Sequence, residues 1–187
     1  MGKSTFAKSI RPTWRYIDLE VPDNALFARQ SPSLFLEQLG SQVILDEIQH
    51  VPELFEVLRG LVDKDRESNN RFIILGSSSP YLFSRASESL AGRISIFEVP
   101  SLKINEILAK PLSSFYELLH SGCNLKDLGE LTPMYGIDNL YQFILKGFYP
   151  EVNYQEKYSN LNLVDEWFRG YFQTYISQDI RALFPGL

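Results

Sequence analysis

Three large aliphatic residues at 43–45 are followed directly by two acids, Asp46 and Glu47. An unbroken apolar run of this kind is typical of a strand buried on both faces, as in a parallel sheet covered by helices. The carboxyl ends of such strands meet at the crevice where α/β sheets bind ligands. The run therefore predicts an α/β fold with a pair of carboxylates in its binding crevice.

The chain begins with the residues Met1-Gly2-Lys3-Ser4-Thr5, the last part of the phosphate-binding pattern G-x-x-x-x-G-K-[ST]. A helix N-terminus attracts phosphate because it offers free N–H groups and a partial positive charge. Gly2 would let the backbone approach the phosphates, Lys3 would reach the β- and γ-phosphates, and Ser4 would hold Mg²⁺. Thr5 would begin the helix. The supporting strand and the first loop residues are absent, so we expect a loop truncated at an internal Met1.

The acids gain a specific role if a phosphate loop precedes them. Asp46 would bind Mg²⁺ directly or through water, and Glu47 would polarise the attacking water. The alternative is a buried strand that simply ends in two solvated acids. A third apolar run, at 71–76, leads into a serine-rich loop. There Ser77 or Ser78 would bind the γ-phosphate or the attacking water, unless the serines only form a polar turn.

The periodicity of apolar residues predicts strands and helices in alternation. Strands are predicted over residues 14–20, 42–47, 71–76 and 94–99, and helices over residues 3–10, 31–39, 52–65 and 81–91. This order predicts a parallel sheet with helices on both faces. After Pro100 the pattern is helical but interrupted by proline and glycine, and an amphipathic helix is predicted from about Leu161 to Ile180.

Several short segments extend the motifs in a fixed order: Gly2-Lys3-Ser4-Thr5, residues 16–20 (YIDLE), residues 44–54 (ILDEIQHVPEL), residues 74–79 (ILGSSS) and residues 87–93 (SESLAGR). This order resembles the AAA+ superfamily, and most closely a group of archaeal and bacterial ATPases that carry a C-terminal domain of unknown function. Residues 147–152 and 167–180 resemble the opening of that second domain.

The resemblance implies a P-loop NTPase-type fold that binds ATP and Mg²⁺. Its parts would be an incomplete ATPase core at 1–100, a helical lid or linker at 101–146, and the start of a second helical domain at 147–187. The central first strand of the family's sheet would be missing, which would leave two open backbone edges.

Arg93 follows the predicted helix at 81–91. In AAA+ proteins an arginine at this place often reaches the γ-phosphate of the neighbouring subunit. Such a residue can raise the rate of phosphoryl transfer about 10³–10⁵-fold. The resemblance therefore implies a catalytic Arg93 and a homo-oligomer. The alternative is a structural arginine paired with a nearby acid such as Glu88.

Composition limits the partners. The net charge of −5 argues against nonspecific DNA binding as the main activity, so a nucleic-acid partner rests on family analogy alone. Cys123 is the only cysteine, which excludes an intramolecular disulfide and predicts a reducing, cytoplasmic compartment. No apolar run approaches the roughly 18 residues of a membrane span.

The sequence thus predicts Mg²⁺-dependent ATP hydrolysis, coupled to a process that it does not identify. The main alternative is an ATPase remnant, weak or inactive in catalysis, that acts as an interaction module for an unknown protein partner.

Overall fold

The computed structural model describes residues 2–76, 80–122, 126, 129–133 and 135–175. The chain divides into two compact units, Gly2–Val99 and the residues from Pro100 onward. The first unit contains a parallel sheet flanked by helices, and the described elements of the second are helical. This is the predicted α/β architecture of the P-loop NTPase type, followed by a helical C-terminal portion.

The first unit alternates strands and helices along the chain. Its strands are Arg15–Asp18 (β1), Val43–Asp46 (β2) and Phe72–Ile74 (β3); its helices are Lys3–Ile10 (α1), Pro22–Gln30 (α2), Pro32–Leu39 (α3), Leu54–Lys64 (α4) and Pro80–Leu90 (α5), with a 3₁₀ turn at Ile48–His50. The three strands are parallel in the order β1-β2-β3, with Ile44 opposite both Tyr16 and Ile73.

The central strand β2 explains the apolar run. All four of its residues are buried, because β1 and β3 cover its edges and the helices cover its faces. The buried core around it consists of Leu19, Ala25, Ala28, Phe35, Leu36, Val43, Leu45, Ile48, Val51, Leu54, Phe55, Leu58, Ala86 and Leu90. Burial of this apolar surface is the main favourable contribution to folding of the unit.

The helices follow from recognisable local signals, with one exception. Pro22 and Pro32 lie in the first turns of α2 and α3, where a missing N–H costs nothing. Helix α2 was not predicted from the sequence. Its buried residues are only Ala25 and Ala28, so it has no stripe of large apolar residues to signal a helix.

The strand predicted at 94–99 is wrong. The structure has irregular chain there, and Phe97 is 84% exposed. A strand requires a neighbour that accepts and donates its backbone hydrogen bonds. Among the described residues, the sheet contains β1, β2 and β3 only, so residues 94–99 have no such neighbour there.

The second unit is built from short helices and one longer helix: Ile104–Ile107 (α6), Ser114–Ser121 (α7), Ile137–Lys146 (α8), Pro150–Tyr154 (α9), a 3₁₀ turn at Glu156–Ser159, and Leu161–Tyr175 (α10). Its small core consists of Val152, Tyr158 and Val164, with Tyr149, Trp167 and Phe168 packed against them. Helix α10 matches the predicted amphipathic helix as far as Tyr175; the remainder, through Ile180, lies outside the described residues. The assignment of a lid and of a second domain stays a prediction.

No helix in the described part of the chain combines the length and the apolar character that crossing a bilayer would require.

Candidate nucleotide-binding site

The N-terminus of α1 has the geometry that a phosphate-binding turn needs. Gly2 precedes the helix with φ of 88°, a left-handed conformation that glycine adopts without steric cost. The carbonyl of Gly2 accepts the first helical hydrogen bond, from the N–H of Phe6 at 2.9 Å. Lys3 and Ser4 are half-buried and Thr5 is exposed. The free N–H groups at this end suit an anionic ligand.

The acid pair lies where β2 ends. Asp46 is only 2% exposed, and both of its carboxylate oxygens accept hydrogen bonds. The N–H of Glu47 donates to Oδ1 at 2.9 Å, and the phenol of Tyr16 donates to Oδ2 at 2.7 Å. A buried carboxylate is costly unless such donors satisfy it. Asp46 is therefore a fixed, buried negative charge at the carboxyl edge of the sheet.

Tyr16 connects this acid to the start of α1. Burial raises the pKa of Tyr16 well above its ordinary value, and the hydrogen bond to Asp46 and the charge of that acid raise it further. A hydrogen-bonding interaction from the Ser4 side chain reaches the same phenol and acts in the opposite direction on the pKa. Ser4 and Asp46 thus both affect the pKa of one hydroxyl group, although they are 42 positions apart in the sequence.

A second carboxylate, that of Asp18, lies beside Asp46 and Tyr16. Asp18 is directly opposite Asp46 in the parallel register of β1 and β2, and its negative charge also raises the pKa of Tyr16. The Oδ1 atom of Asp18 accepts a hydrogen bond from the N–H of Glu20 at 2.9 Å. The site therefore concentrates negative charge next to a helix N-terminus, an arrangement in which a cation would be favoured.

Glu47 is held in its own loop. It has φ of 53°, and its Oε2 atom accepts a hydrogen bond from Nε2 of Gln49. The Oε1 atom of Gln49 is buried and lies 3.0 Å from the place that a Cβ on Gly76 would occupy. Because residue 76 is glycine, the side-chain amide of Gln49 can lie close to the backbone that follows β3. The predicted γ-phosphate contacts, Ser77 and Ser78, follow directly but lie outside the described residues.

Arg93 is engaged within its own unit. Its Nε and Nη2 atoms donate to the two carboxylate oxygens of Asp63 at 2.8 and 2.9 Å, and Nη1 donates to the carbonyl of Ala91. This hydrogen-bonded acid raises the pKa of Arg93. The acid that pairs with Arg93 is Asp63 rather than Glu88, whose carboxylate accepts a hydrogen bond from Ser84. A catalytic role for Arg93 stays a prediction.

Ser4 and Asp46 fit the chemistry of a magnesium site. Among the described residues, no three His, Cys, Asp or Glu side chains gather as a metal cage. Mg²⁺ does not need one, because it usually binds one or two protein oxygens and completes its shell with phosphate and water. A serine hydroxyl at the start of α1 and a buried carboxylate at the end of β2 supply such oxygens.

Tyr16, Asp18 and Gln49 were given no role from the sequence. A weak signal exists for Tyr16 and Asp18, since residues two apart in a strand lie on the same face of the sheet. The register between the strands then decides which acid of β2 lies next to them. That register is set by β2 pairing, which a single sequence does not reveal. Gln49 has no periodic signal because it lies in a 3₁₀ turn.

Comparison with known proteins places the chain in a family. It is 46% identical over 76 residues to an uncharacterized protein of Mycobacterium tuberculosis, and equally to an uncharacterized protein of Mycobacterium bovis. The match covers 41% of this chain and spans only 17% of the length of each relative. No solved structure matches. A family model described as an AAA domain matches residues 1–108, more than half of the chain, so the chain belongs to the AAA-domain family and carries an ATPase-like, nucleotide-binding domain.

Proposed function

We propose that this chain binds ATP together with Mg²⁺ and hydrolyses the γ-phosphate bond. The observation that carries the proposal is the buried carboxylate of Asp46 at the end of β2, hydrogen-bonded to Tyr16, whose ring contacts Lys8 of α1. These contacts bring α1 and the end of β2 together, as a site for a metal-bound triphosphate requires. Membership of the AAA-domain family supports the same ligand.

The residues take separable roles in this proposal. The N–H groups at the start of α1 and the ammonium of Lys3 bind and orient the phosphates. Ser4 and Asp46 would hold Mg²⁺, which supplies charge neutralisation at the phosphate oxygens when bound. Glu47 orients the attacking water and accepts its proton. Hydrolysis then relies on positioning and electrostatics, with no covalent intermediate.

Nucleotide binding is tested most directly at Lys3. The change Lys3→Ala should weaken ATP binding strongly, since it removes the point charge next to the phosphates, whereas Lys64→Ala on the exposed end of α4 should not. Isothermal titration with ATP and Mg²⁺ measures both. Equal affinities in the two variants, or no binding by the unaltered chain, would overturn the proposal.

An interaction module is the second candidate function, and a specific surface favours it. Ile137, Tyr141, Ile144 and Leu145 of α8 are each about 60% exposed, and their spacing places them along one side of the helix. Exposed apolar stripes of this size often mark protein contacts. This function would be favoured over hydrolysis if the molecular mass in solution rises with protein concentration and if nucleotide does not change the melting temperature.

The homo-oligomer and a trans-acting Arg93 remain part of the first proposal. Arg93 would have to exchange Asp63 for a phosphate of the neighbouring subunit. Mixing Lys3→Ala and Arg93→Ala chains tests this. In a mixed oligomer, the Arg93→Ala chain supplies an intact Lys3 and its neighbour supplies an intact Arg93, so turnover should return at that interface. No gain in turnover over either variant alone would assign Arg93 to its structural pair with Asp63.

A further inference from the structure

The Tyr16 hydroxyl is hydrogen-bonded to the buried carboxylate that would hold a divalent cation. It donates to Oδ2 of Asp46 at 2.7 Å. The described residues contain other tyrosines with hydroxyl contacts, such as Tyr158 on Glu151 at 3.4 Å, but those lie in the second unit. Tyr16 therefore combines a short bond to a buried acid with a place inside the candidate site.

The surroundings of Asp46 leave little room for an additional ligand. The residue is 2% exposed, and its two oxygens already accept from Glu47 and Tyr16. The N–H of Glu47 belongs to the backbone and is fixed by the loop. The phenol belongs to a side chain, so a small rotation can release Oδ2, and we expect a cation that reaches this atom to compete with the phenol.

The ring of Tyr16 is itself held from α1. The Nζ atom of Lys8 lies 3.4 Å from the centroid of the ring, a cation–π contact between the helix and β1. Helix α1 therefore holds the ring, and the bond from the hydroxyl to Asp46 is the contact that a cation would replace.

We propose that the Tyr16 hydroxyl takes the place of the divalent cation on Asp46 in the ligand-free protein, and that it gives way when the cation binds. The inference rests on the proposed function, because it uses Ser4 and Asp46 as cation ligands. Tyr16 is then a positioning residue. It satisfies the buried carboxylate without metal and sets the cation concentration at which the site fills.

The consequence is a competition that one substitution removes. A hydrogen bond to a charged group stabilises the ligand-free state, so the cation must displace it before binding. Tyr16→Phe keeps the ring and its contact with Lys8 but has no hydroxyl to displace. We expect Tyr16→Phe to bind the cation about tenfold more tightly than the unaltered chain.

The test titrates Mn²⁺ alone, which accepts the same oxygen ligands as Mg²⁺ and is followed by its electron paramagnetic resonance signal. Four proteins are compared: the unaltered chain, Tyr16→Phe, Asp46→Asn and Tyr141→Phe. The last is the matched control, because it removes the hydroxyl of an exposed tyrosine in the second unit. Asp46→Asn should lose binding, and Tyr141→Phe should bind like the unaltered chain.

The outcomes separate this inference from the proposed function. Tighter binding by Tyr16→Phe supports it, as does binding by that variant when the unaltered chain binds nothing. Equal or weaker binding by Tyr16→Phe, with the unaltered chain binding well, overturns the inference and leaves the proposed function intact. If none of the four proteins binds Mn²⁺, no cation competes with Tyr16 in the ligand-free protein and the inference fails, whereas the proposed function is decided separately by titration with ATP and Mg²⁺.

A second measurement needs no substitution at Tyr16, in case Tyr16→Phe does not fold. Releasing a phenol from a carboxylate changes its near-ultraviolet absorption. Saturating the unaltered chain with Mg²⁺ should therefore give a tyrosine difference spectrum, and Asp46→Asn should give none. Cation binding by the unaltered chain with no tyrosine signal would refute the exchange.

Discussion

The side-chain amide of Gln49 donates a hydrogen bond to Oε2 of Glu47, so the carboxylate that we assign to water activation is held from within its own loop. The backbone of that loop is tied to the end of β3, because the N–H of Ile48 donates to the carbonyl of Leu75 at 3.1 Å. Glu47 also has a left-handed backbone, which is uncommon for a residue with a side chain and often marks functional sites. Its orientation is therefore set by the fold before any ligand binds.

Glu47→Gln should retain nucleotide binding and lose turnover. The amide has the size of the carboxylate but cannot accept the proton of the attacking water, so turnover should fall by about 10²-fold or more. Phosphate release measures turnover and titration with ATP measures binding. Glu53→Gln, an exposed acid at the start of α4, is the matched control and should change neither. Unchanged turnover in Glu47→Gln would remove Glu47 from the mechanism.

Leu45→Ala should destabilise the first unit strongly. Leu45 is fully buried in β2, where it lies opposite Ile17 of β1 and Ile74 of β3. Truncation of such a side chain leaves a cavity and should cost about 2–5 kcal/mol in the free energy of unfolding. Urea unfolding measures the loss. Leu26→Ala on α2, where the side chain is 54% exposed, should stay within about 0.5 kcal/mol, and equal losses would contradict the central position of β2.

The sequence predicted the parts of the fold whose signals are local. The run at 43–45 identified the central strand, and Gly2 with Lys3 identified the start of α1, because burial on both faces and a left-handed turn before a helix impose strict residue types. Helix α2 was missed, since it buries alanines. The strand at 94–99 was wrong because apolar alternation does not supply a pairing partner. The hydrogen bond from Tyr16 to Asp46 depends on register between strands that are distant in sequence, and no local pattern encodes it.

Asp63→Asn should reveal a pH-dependent contribution to stability. A hydrogen bond from Arg93, and with it one from Arg66, holds the pKa of Asp63 below its ordinary value of 3.8. Since the folded-state pKa is lowered, the stabilisation is fully present above the ordinary value and is lost as the pH falls through the folded-state pKa. The unaltered chain should therefore be more stable than Asp63→Asn at neutral pH, and the difference should shrink below about pH 4.

Urea unfolding of both proteins across this pH range provides the check, and comparing the two removes the acid sensitivity that they share. Glu37→Gln, an exposed acid on α3, should stay within about 0.5 kcal/mol of the unaltered chain at neutral pH. A difference between Asp63→Asn and the unaltered chain that stays constant as the pH falls would show that the ion pair with Arg93 does not contribute to folding.

Gly147→Ala should destabilise the second unit, for two additive reasons. Gly147 ends α8 with φ of 64°, and a left-handed backbone costs about 1–2 kcal/mol with a side chain. A Cβ there would also lie 2.9 Å from Cζ of Phe168, closer than such atoms approach one another, so the ring or the backbone would have to shift. The loss can be followed by the fluorescence of Trp167 in a Trp14→Phe background, which leaves one tryptophan.

Gly136→Ala, at the N-cap of the same helix, is the matched control. Gly136 has φ of −78°, and a Cβ there would lie 3.8 Å from its nearest neighbour, so only the cap preference for glycine over alanine is lost and the cost should be about 1 kcal/mol or less. Equal stability of these two variants would mean that Phe168 does not pack over Gly147 in solution, and the small aromatic core of the second unit would then need another arrangement.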